Sequence, residues 1–375
     1  MRRHARFLVV CALPLLGAMQ LAGCSLASDP GSVTRTYYIA ADDVTWDYVP
    51  GSVDQISGLP YTDTAYYRSV KPRPVSTRYV KTLYREYADS SFTTLKPRPP
   101  EWEHLGFLGP VIRGVVGDTI RVVFRNNGTH PYSVHPHGVF YRKDSEGAPY
   151  VDGTQGPDRA DDGVPPGGTH TYTWLVPERA GPGPMDGSSI IWMYHSHVDE
   201  IRDVNSGLLG PLIVTARGKA RRDGSPVDVD RELVTAFVQV HEEESWSAAD
   251  NLPRDAESAG IPNPHQLQNI YPWFVQFSIN GYTHGALPLR ALTVRKGQRV
   301  RWYVFASTND FDGHSPHWHG NTVLVNQMRT DVINLPTMGM LVADMVPDDI
   351  GTWLYHCHIS LHLAAGMQAR YAVVP

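Results

Sequence analysis

Near the end of this chain, His356-Cys357-His358 is followed by His362 and Met367, a spacing that crowds imidazole, thiol and thioether donors into one short stretch. The residues leading in, Gly351-Thr352-Trp353-Leu354-Tyr355, read as a strand. Successive side chains of a strand point to opposite faces, so His356 and His358 face one way and Cys357 the other. One strand can then serve two metal sites back to back. A thiolate, two imidazoles and a weak thioether make the donor set of a blue-copper electron-transfer centre. Cys357, His362 and Met367 supply part of that set, and one imidazole must come from elsewhere.

Candidates for it lie upstream. The chain carries His314-Ser315-Pro316-His317-Trp318-His319-Gly320, His135-Pro136-His137-Gly138 and His195-Ser196-His197. With His356 and His358 these make four His-x-His pairs, each placing two imidazoles on one face of an extended segment. Isolated histidines such as His104, His170 and His284 are read as structural. Imidazole binds copper and zinc alike, but a thiolate with a thioether favours copper.

Taken in order, these motifs resemble the four signature motifs of the multicopper oxidases. The resemblance implies a type 1 (blue) copper on His314, Cys357, His362 and Met367, and a type 2 copper on His135 and His317. It implies a type 3 pair on His137, His195, His197, His319, His356 and His358, four coppers per chain in all. The implied fold is all-β, two cupredoxin-like Greek-key β-sandwich domains. In the N-terminal half, Tyr37-Tyr38-Ile39-Ala40, Trp46-Asp47-Tyr48 and Leu105-Gly106-Phe107-Leu108-Gly109-Pro110 are similar to ceruloplasmin-type domains.

The activity implied is one-electron oxidation of a small reductant coupled to four-electron reduction of dioxygen to water. A laccase-like oxidase of phenols or amines is the first reading, and a ferroxidase or cuprous oxidase in metal homeostasis the alternative. Ceruloplasmin-like ferroxidases place a carboxylate immediately before the last blue-copper histidine, where this chain has Leu361. The positions that would add Glu and His to an iron site are Pro272 and Phe277. A copper nitrite reductase would carry its blue copper in domain 1, and non-enzymatic copper-binding relatives lose cluster histidines. In the implied cycle Cys357 passes electrons to His356 and His358, its covalent neighbours, and Glu146 stands where relatives have an acid near the cluster. Asp158, Asp161 and Asp162 resemble a calcium-binding segment, and clustered carboxylates suit such a hard cation. His241-Glu242-Glu243-Glu244 reads as a solvated loop, and Met338, Met340 and Met345 as core.

At 375 residues the chain has room for two domains with sizeable cores. A formal charge of −5 offers no basic footprint for nucleic acid, and 33 glycines with 30 prolines suit short strands joined by turns. Arg2, Arg3 and Arg6 precede the apolar run Phe7 to Leu16, and Leu21-Ala22-Gly23-Cys24 resembles a bacterial lipoprotein cleavage box. Residues 1–24 are thus expected to be a signal peptide and 25–32 a tether, with lipid on Cys24 holding the protein at the cell envelope. Cys11 leaves with the signal, so Cys357 is the one cysteine left to the folded part.

Domain 1 is expected over 33–217, a linker over 218–230 and domain 2 over 231–375. The halves repeat: His135-Pro136-His137-Gly138 mirrors His317-Trp318-His319-Gly320, and Tyr194-His195-Ser196-His197 mirrors Tyr355-His356-Cys357-His358. Matching the halves places Tyr132, Ser196 and Ile201 opposite His314, Cys357 and His362, so domain 1 is expected to hold no blue copper. Each half presents a one-sided set of imidazoles, so the cluster must lie between a domain 1 and a domain 2. Two-domain members of the family build it between neighbouring chains, which implies a homotrimer.

Overall fold

The computed structural model describes residues 32–63, 76–251, 275–307 and 312–375. The expected signal segment, all of the tether but residue 32, and Pro272 lie outside the described residues. The first half supplies β1 (Thr34–Asp47), β2 (Arg78–Tyr87), β3 (Ile112–Val115), β4 (Thr119–Asn126), β5 (His135–Pro136), β6 (Phe140–Tyr141), β7 (Thr169–Leu175), β8 (Ser189–His195) and β9 (Leu209–Thr215). The second supplies β10 (Arg231–His241), β11 (Val275–Ile279), β12 (Thr293–Arg295), β13 (Val300–Ser307), β14 (Pro316–Trp318), β15 (Val323–Val325), β16 (Met328–Thr330), β17 (Met340–Met345), β18 (Gly351–Cys357) and β19 (Gln368–Val374).

Each half is a sandwich of two sheets. The first pairs β2-β1-β4-β7-β6 with β3-β9-β8-β5, and the second pairs β11-β10-β13-β17-β15-β16 with β12-β19-β18-β14. Parallel contacts recur at matching places: β1 with β4 and β10 with β13, β3 with β9 and β12 with β19. The internal repeat seen in the motifs is therefore a repeat of topology.

Among the described residues, strand alternation feeds three large apolar cores, beside a small fourth cluster of Tyr48, Val49, Tyr61 and Tyr79. On β8, Trp192 and Tyr194 face the first-half core while Ile191 and Met193 face outward. On β10, Leu233 and Phe237 enter the second-half core while Val234, Ala236, Val238 and Val240 face the first half. The outward residues meet in a third core between the halves, joined by Phe107, Leu209, Ile213 and Phe305. Strands buried on both faces read as largely apolar runs, as Leu233 to Val240 does with Thr235 and Gln239 its polar members. Each buried Leu, Val or Phe among them contributes roughly 1.5–3 kcal/mol on burial.

Buried ion pairs stitch the same boundary. Lys81 Nζ lies 3.0 Å from Glu242 Oε1 with both side chains fully buried, and Tyr48 donates to the same oxygen at 2.7 Å. Arg113 donates twice to Glu232, at 3.1 and 2.7 Å. The stretch 218–230 is mostly exposed but anchored, for Thr215 Oγ1 donates to the Gly224 carbonyl at 2.7 Å and Asp230 pairs with Arg299 at 2.6 Å. Among the described residues no helix is long and apolar enough to cross a membrane.

Candidate metal centre

Strand β14 meets β18 antiparallel, with Pro316 opposite Cys357, His317 opposite His356 and Trp318 opposite Tyr355. Tyr355 and Cys357 belong to the second-half core, so alternation turns His356 to the other face. A short helix, α2 (Ser360–Ala364), brings His362 back to the thiol, and Met367 sits immediately before β19. Cys357 Sγ lies 3.5 Å from His362 Nδ1 and 3.9 Å from His314 Nδ1. Metal–ligand bonds of about 2.0–2.3 Å give tetrahedral donor–donor edges of about 3.3–3.8 Å, close to these spacings.

Burial prepares the donors. Cys357, His362 and Met367 are fully buried and His314 nearly so. Desolvation, with a smaller push from His362, lowers the pKa of His314 to about 3, and desolvation lowers that of His362 as well. Both rings are thus neutral ligands at ordinary pH. The same burial raises the pKa of the Cys357 thiol, so its thiolate form needs a cation beside it. The Ser315 N–H aimed at Sγ from 3.3 Å helps little by itself. Soft sulfur, two neutral imidazoles and a buried thioether fit copper.

The outer nitrogens of the two rings differ. His362 Nε2 lies 2.8 Å from Asp312 Oδ2 and 2.9 Å from Gln239 Nε2, whereas His314 Nε2 is buried without a hydrogen-bond partner. Phe237 packs on His314 with ring centres 5.8 Å apart, and Phe277 on His362 at 4.9 Å. Sequence reasoning missed Asp312. It stands only two residues before His314, but the imidazole it bonds lies fifty positions on.

The remaining motif histidines form two sets. His137 Nε2 and His195 Nε2 are 3.0 Å apart, close to His135. His356 Nε2 is 3.0 Å from His319 Nε2 and 3.3 Å from His317 Nδ1. Neutral ring nitrogens facing at such distances repel unless a metal or proton lies between them. Backbone carbonyls fix the rings: His135 Nδ1 donates to Glu146 O at 2.7 Å, His195 to Ser196 O at 3.0 Å and His356 to Cys357 O at 2.8 Å. Each leaves Nε2 facing the cluster, the usual division of labour in a metal-bound imidazole. Desolvation lowers the pKa of His137 and His356 to about 4 and depresses His195, His135 and His317 as well. Among the described residues, the recorded ring contacts join these histidines within a set and never across. His197, half-buried, and His358, exposed, complete the sets.

Other expected residues are placed as follows. Glu146 meets His135 through its backbone carbonyl, while its carboxylate bonds Lys143 at 2.5 Å and Tyr150 at 3.1 Å. A carboxylate nearer the imidazoles is that of Glu200, 3.6 Å from His197 and 3.9 Å from His195. Asp161 is buried, with Oδ2 accepting from Gly147 N at 2.7 Å and Oδ1 without a partner. Asp162 pairs with Arg159 and Asp158 is exposed. His241 is buried against Glu243 at 3.1 Å, and Glu242 is fully buried, so this run is not a solvated loop. Met345 is core, and Met338 and Met340 pack on the boundary between the halves.

The first half keeps the frame of the copper pocket with other residues in it. Tyr132 bridges Val164 as His314 bridges Leu335. Ser196 N bonds Leu208 O, and Cys357 N bonds Met367 O, both at 3.1 Å. Leu208 N bonds Asp203 O as Met367 N bonds His362 O. The counterpart of His362 is therefore Asp203 and not Ile201, which is 52% exposed. Two extra residues in the helix α1 (Glu200–Ser206) shift the match that motif alignment suggests.

Comparison with known proteins agrees with this arrangement. Two family models described as multicopper oxidase match residues 105–219 and 258–375. Ferroxidase HEPHL1 of Mus musculus is 40% identical over 351 residues, covering 92% of this chain and 29% of that protein. Homo sapiens hephaestin is 39% identical over 91% of this chain and 29% of its own length, and Homo sapiens ceruloplasmin 36% over 92% and 33%. The chain thus spans about a third of the length of these relatives. A crystal structure of a multicopper oxidase superposes with a TM-score of 0.57 at 18% identity, over 92% of each chain, a likeness of the cupredoxin-like fold. With both halves matched and both sets of donors gathered by the fold, this chain belongs to the multicopper oxidase family.

Proposed function

We propose that this protein is a copper-dependent oxidase that reduces dioxygen to water with electrons from a low-valent metal ion, ferrous iron foremost. The observation that carries the reading is the convergence of Cys357, His314 and His362 back to back with the set of His317, His319 and His356, with a second set of His135, His137 and His195 in the first half; the naming of relatives as ferroxidases supports the choice of reductant. His314, Cys357, His362 and Met367 would hold the type 1 copper. His135 and His317 would hold type 2, and His137, His195, His197, His319, His356 and His358 the type 3 pair. Bound copper supplies one-electron redox chemistry and dioxygen activation that no side chain offers. The chain fixes the donors, excludes water from the blue pocket and joins that pocket to the histidine set by the bonds between Cys357 and its neighbours. The laccase-like reading is second, favoured by Leu361 and by Phe277 packed on His362 where an iron ligand would stand.

Because ring contacts stay within each set, the cluster would close between neighbouring copies, as in a homotrimer. Mixing inactive His137→Ala and His356→Ala variants with subunit exchange should then restore part of the activity; no recovery would place each cluster within one chain. The free Oδ1 of Asp161 suits a hard cation such as calcium, and lipid on Cys24 would hold the protein at a membrane. Metal analysis and the mass of the mature N-terminus test these two. The deciding experiment is oxygen consumption by copper-loaded protein with ferrous ion, cuprous ion and a phenol in parallel. Fastest turnover with ferrous ion is expected. A phenol leading would favour the laccase-like reading, and no uptake with any reductant would overturn the proposal.

A further inference from the structure

An imidazole that gives the Nδ1 lone pair to a metal keeps its proton on Nε2. In His362 that N–H has Asp312 Oδ2 at 2.8 Å. The other neighbour, Gln239 Nε2, is itself a donor and lies 3.5 Å from the same carboxylate oxygen, so Asp312 is the acceptor. Asp312 is held in turn, its Oδ1 accepting from Gly313 N at 2.7 Å and its carbonyl from the Thr337 hydroxyl. The His362 side chain is fully buried while that of Asp312 is 41% exposed. His314 offers no such link, since its Nε2 is buried among apolar neighbours.

We propose that Asp312 is a positioning residue that locks His362 as the Nδ1 ligand, tunes the blue pocket through that hydrogen bond and directs cationic reductants to it. The inference rests on the copper reading above. A carboxylate acceptor makes the imidazole a stronger donor and favours the more highly charged oxidised metal, which lowers the potential. The same charge at the surface attracts a ferrous or cuprous ion and leaves a neutral phenol indifferent. It also answers the difficulty raised by Leu361. The negative edge of the last ligand histidine arrives from the His314 side of the pocket instead of from the residue before His362.

The test uses the full, copper-loaded chain and Asp312→Asn, which keeps the shape and a weaker acceptor. The blue absorption is equilibrated against a one-electron redox couple, and KM is measured for ferrous ion and for a neutral phenol. The expected result is about a tenfold shift toward the reduced form, 59 mV for one electron. KM for ferrous ion should rise about tenfold with kcat nearly kept and the phenol KM unmoved. An unchanged potential, or the two KM values shifting together, would overturn the inference. Should the variant not load, nitrogen NMR of the metal-free wild-type protein decides: His362 must be the Nε2–H tautomer, and an Nδ1–H tautomer refutes the lock. A wild-type protein that takes up copper and turns over while the tautomer is wrong sinks this inference alone. One that never turns blue sinks both.

Discussion

The blue pocket of the second half and its counterpart in the first share one backbone frame and differ in how their polar atoms are satisfied. In the first half the four places hold Tyr132, Ser196, Asp203 and Leu208, and the hydrogen bonding closes on itself. Asp203 Oδ2 accepts from Ser196 Oγ at 2.6 Å and from the backbone of Val198 and Asp199, while Oδ1 accepts from Trp246 at 2.8 Å. Ser196 Oγ in turn accepts from Ser133 N at 3.0 Å. In the second half the matching donation from Ser315 reaches a sulfur, and the donors around it aim at a common point with no strong bond among them. The comparison separates a pocket that protein alone completes from one that needs an ion to complete it. Retaining the frame costs little; the side chains decide whether it is a metal site or a plug.

The contrast can be broken most severely at the thiol. Cys357→Ser gives the second pocket the hydroxyl of the first; blue absorption and turnover should vanish while copper analysis still finds the histidine-set metal. Colour surviving that change would mean the pocket has been misassigned. Next in size is the boundary that holds the two halves together. Lys81→Met strands the buried Glu242 carboxylate and should cost about 3–5 kcal/mol in urea unfolding, with Lys81→Met/Glu242→Gln recovering a good part. If the single variant unfolds like wild type, the buried pair is not what secures the boundary.

A smaller effect is expected within the plug itself. Asp203→Asn keeps the shape but loses charge-assisted bonds, costing about 1–3 kcal/mol, while the blue absorption of the other half stays as it was. A spectral change would show that the two pockets are coupled. The smallest at neutral pH concerns His104, a buried histidine outside either metal set, whose Nε2 accepts from Val234 N at 2.9 Å. Desolvation chiefly lowers its pKa to about 3, against an unfolded value near 6.5. Between those values the unfolded chain takes up a proton that the folded chain refuses, so stability falls as pH falls, by up to about 1.4 kcal/mol per pH unit. His104→Gln, compared with wild type as metal-free protein, should lose one proton from the acid-unfolding slope. Equal slopes would mean that His104 is protonated in the folded chain.

Much of this was readable from residue order. Strand alternation about Cys357 needed only the run from Gly351 to His358, and the duplicated motifs announced two sandwiches. What escaped the sequence were contacts made across long separations. Asp312 reaches His362 through the fold, Glu200 reaches two imidazoles because α1 begins beside them, and Glu242 is buried because Lys81 on β2 and Tyr48 just past β1 wait for it. The mismatch of Ile201 with His362 has a plainer cause: alignment by spacing fails where a helix gains residues, and only the backbone hydrogen bonds of Asp203 and Leu208 restore the correspondence.

Strand β18 also constrains how this protein can change by descent. Its thiol and its imidazoles are assigned to their compartments by parity alone. Adding or deleting one residue between Gly351 and His356 would exchange the occupants of both faces in a single step, damaging two centres at once. The helix that follows is free of that rule, since the first half carries two more residues there and still folds. Gradual variation should therefore accumulate as length changes after the strand and as single substitutions within it. A descendant is expected to lose its blue site one side chain at a time and keep the imidazole set beside it, the condition in which the first half already stands.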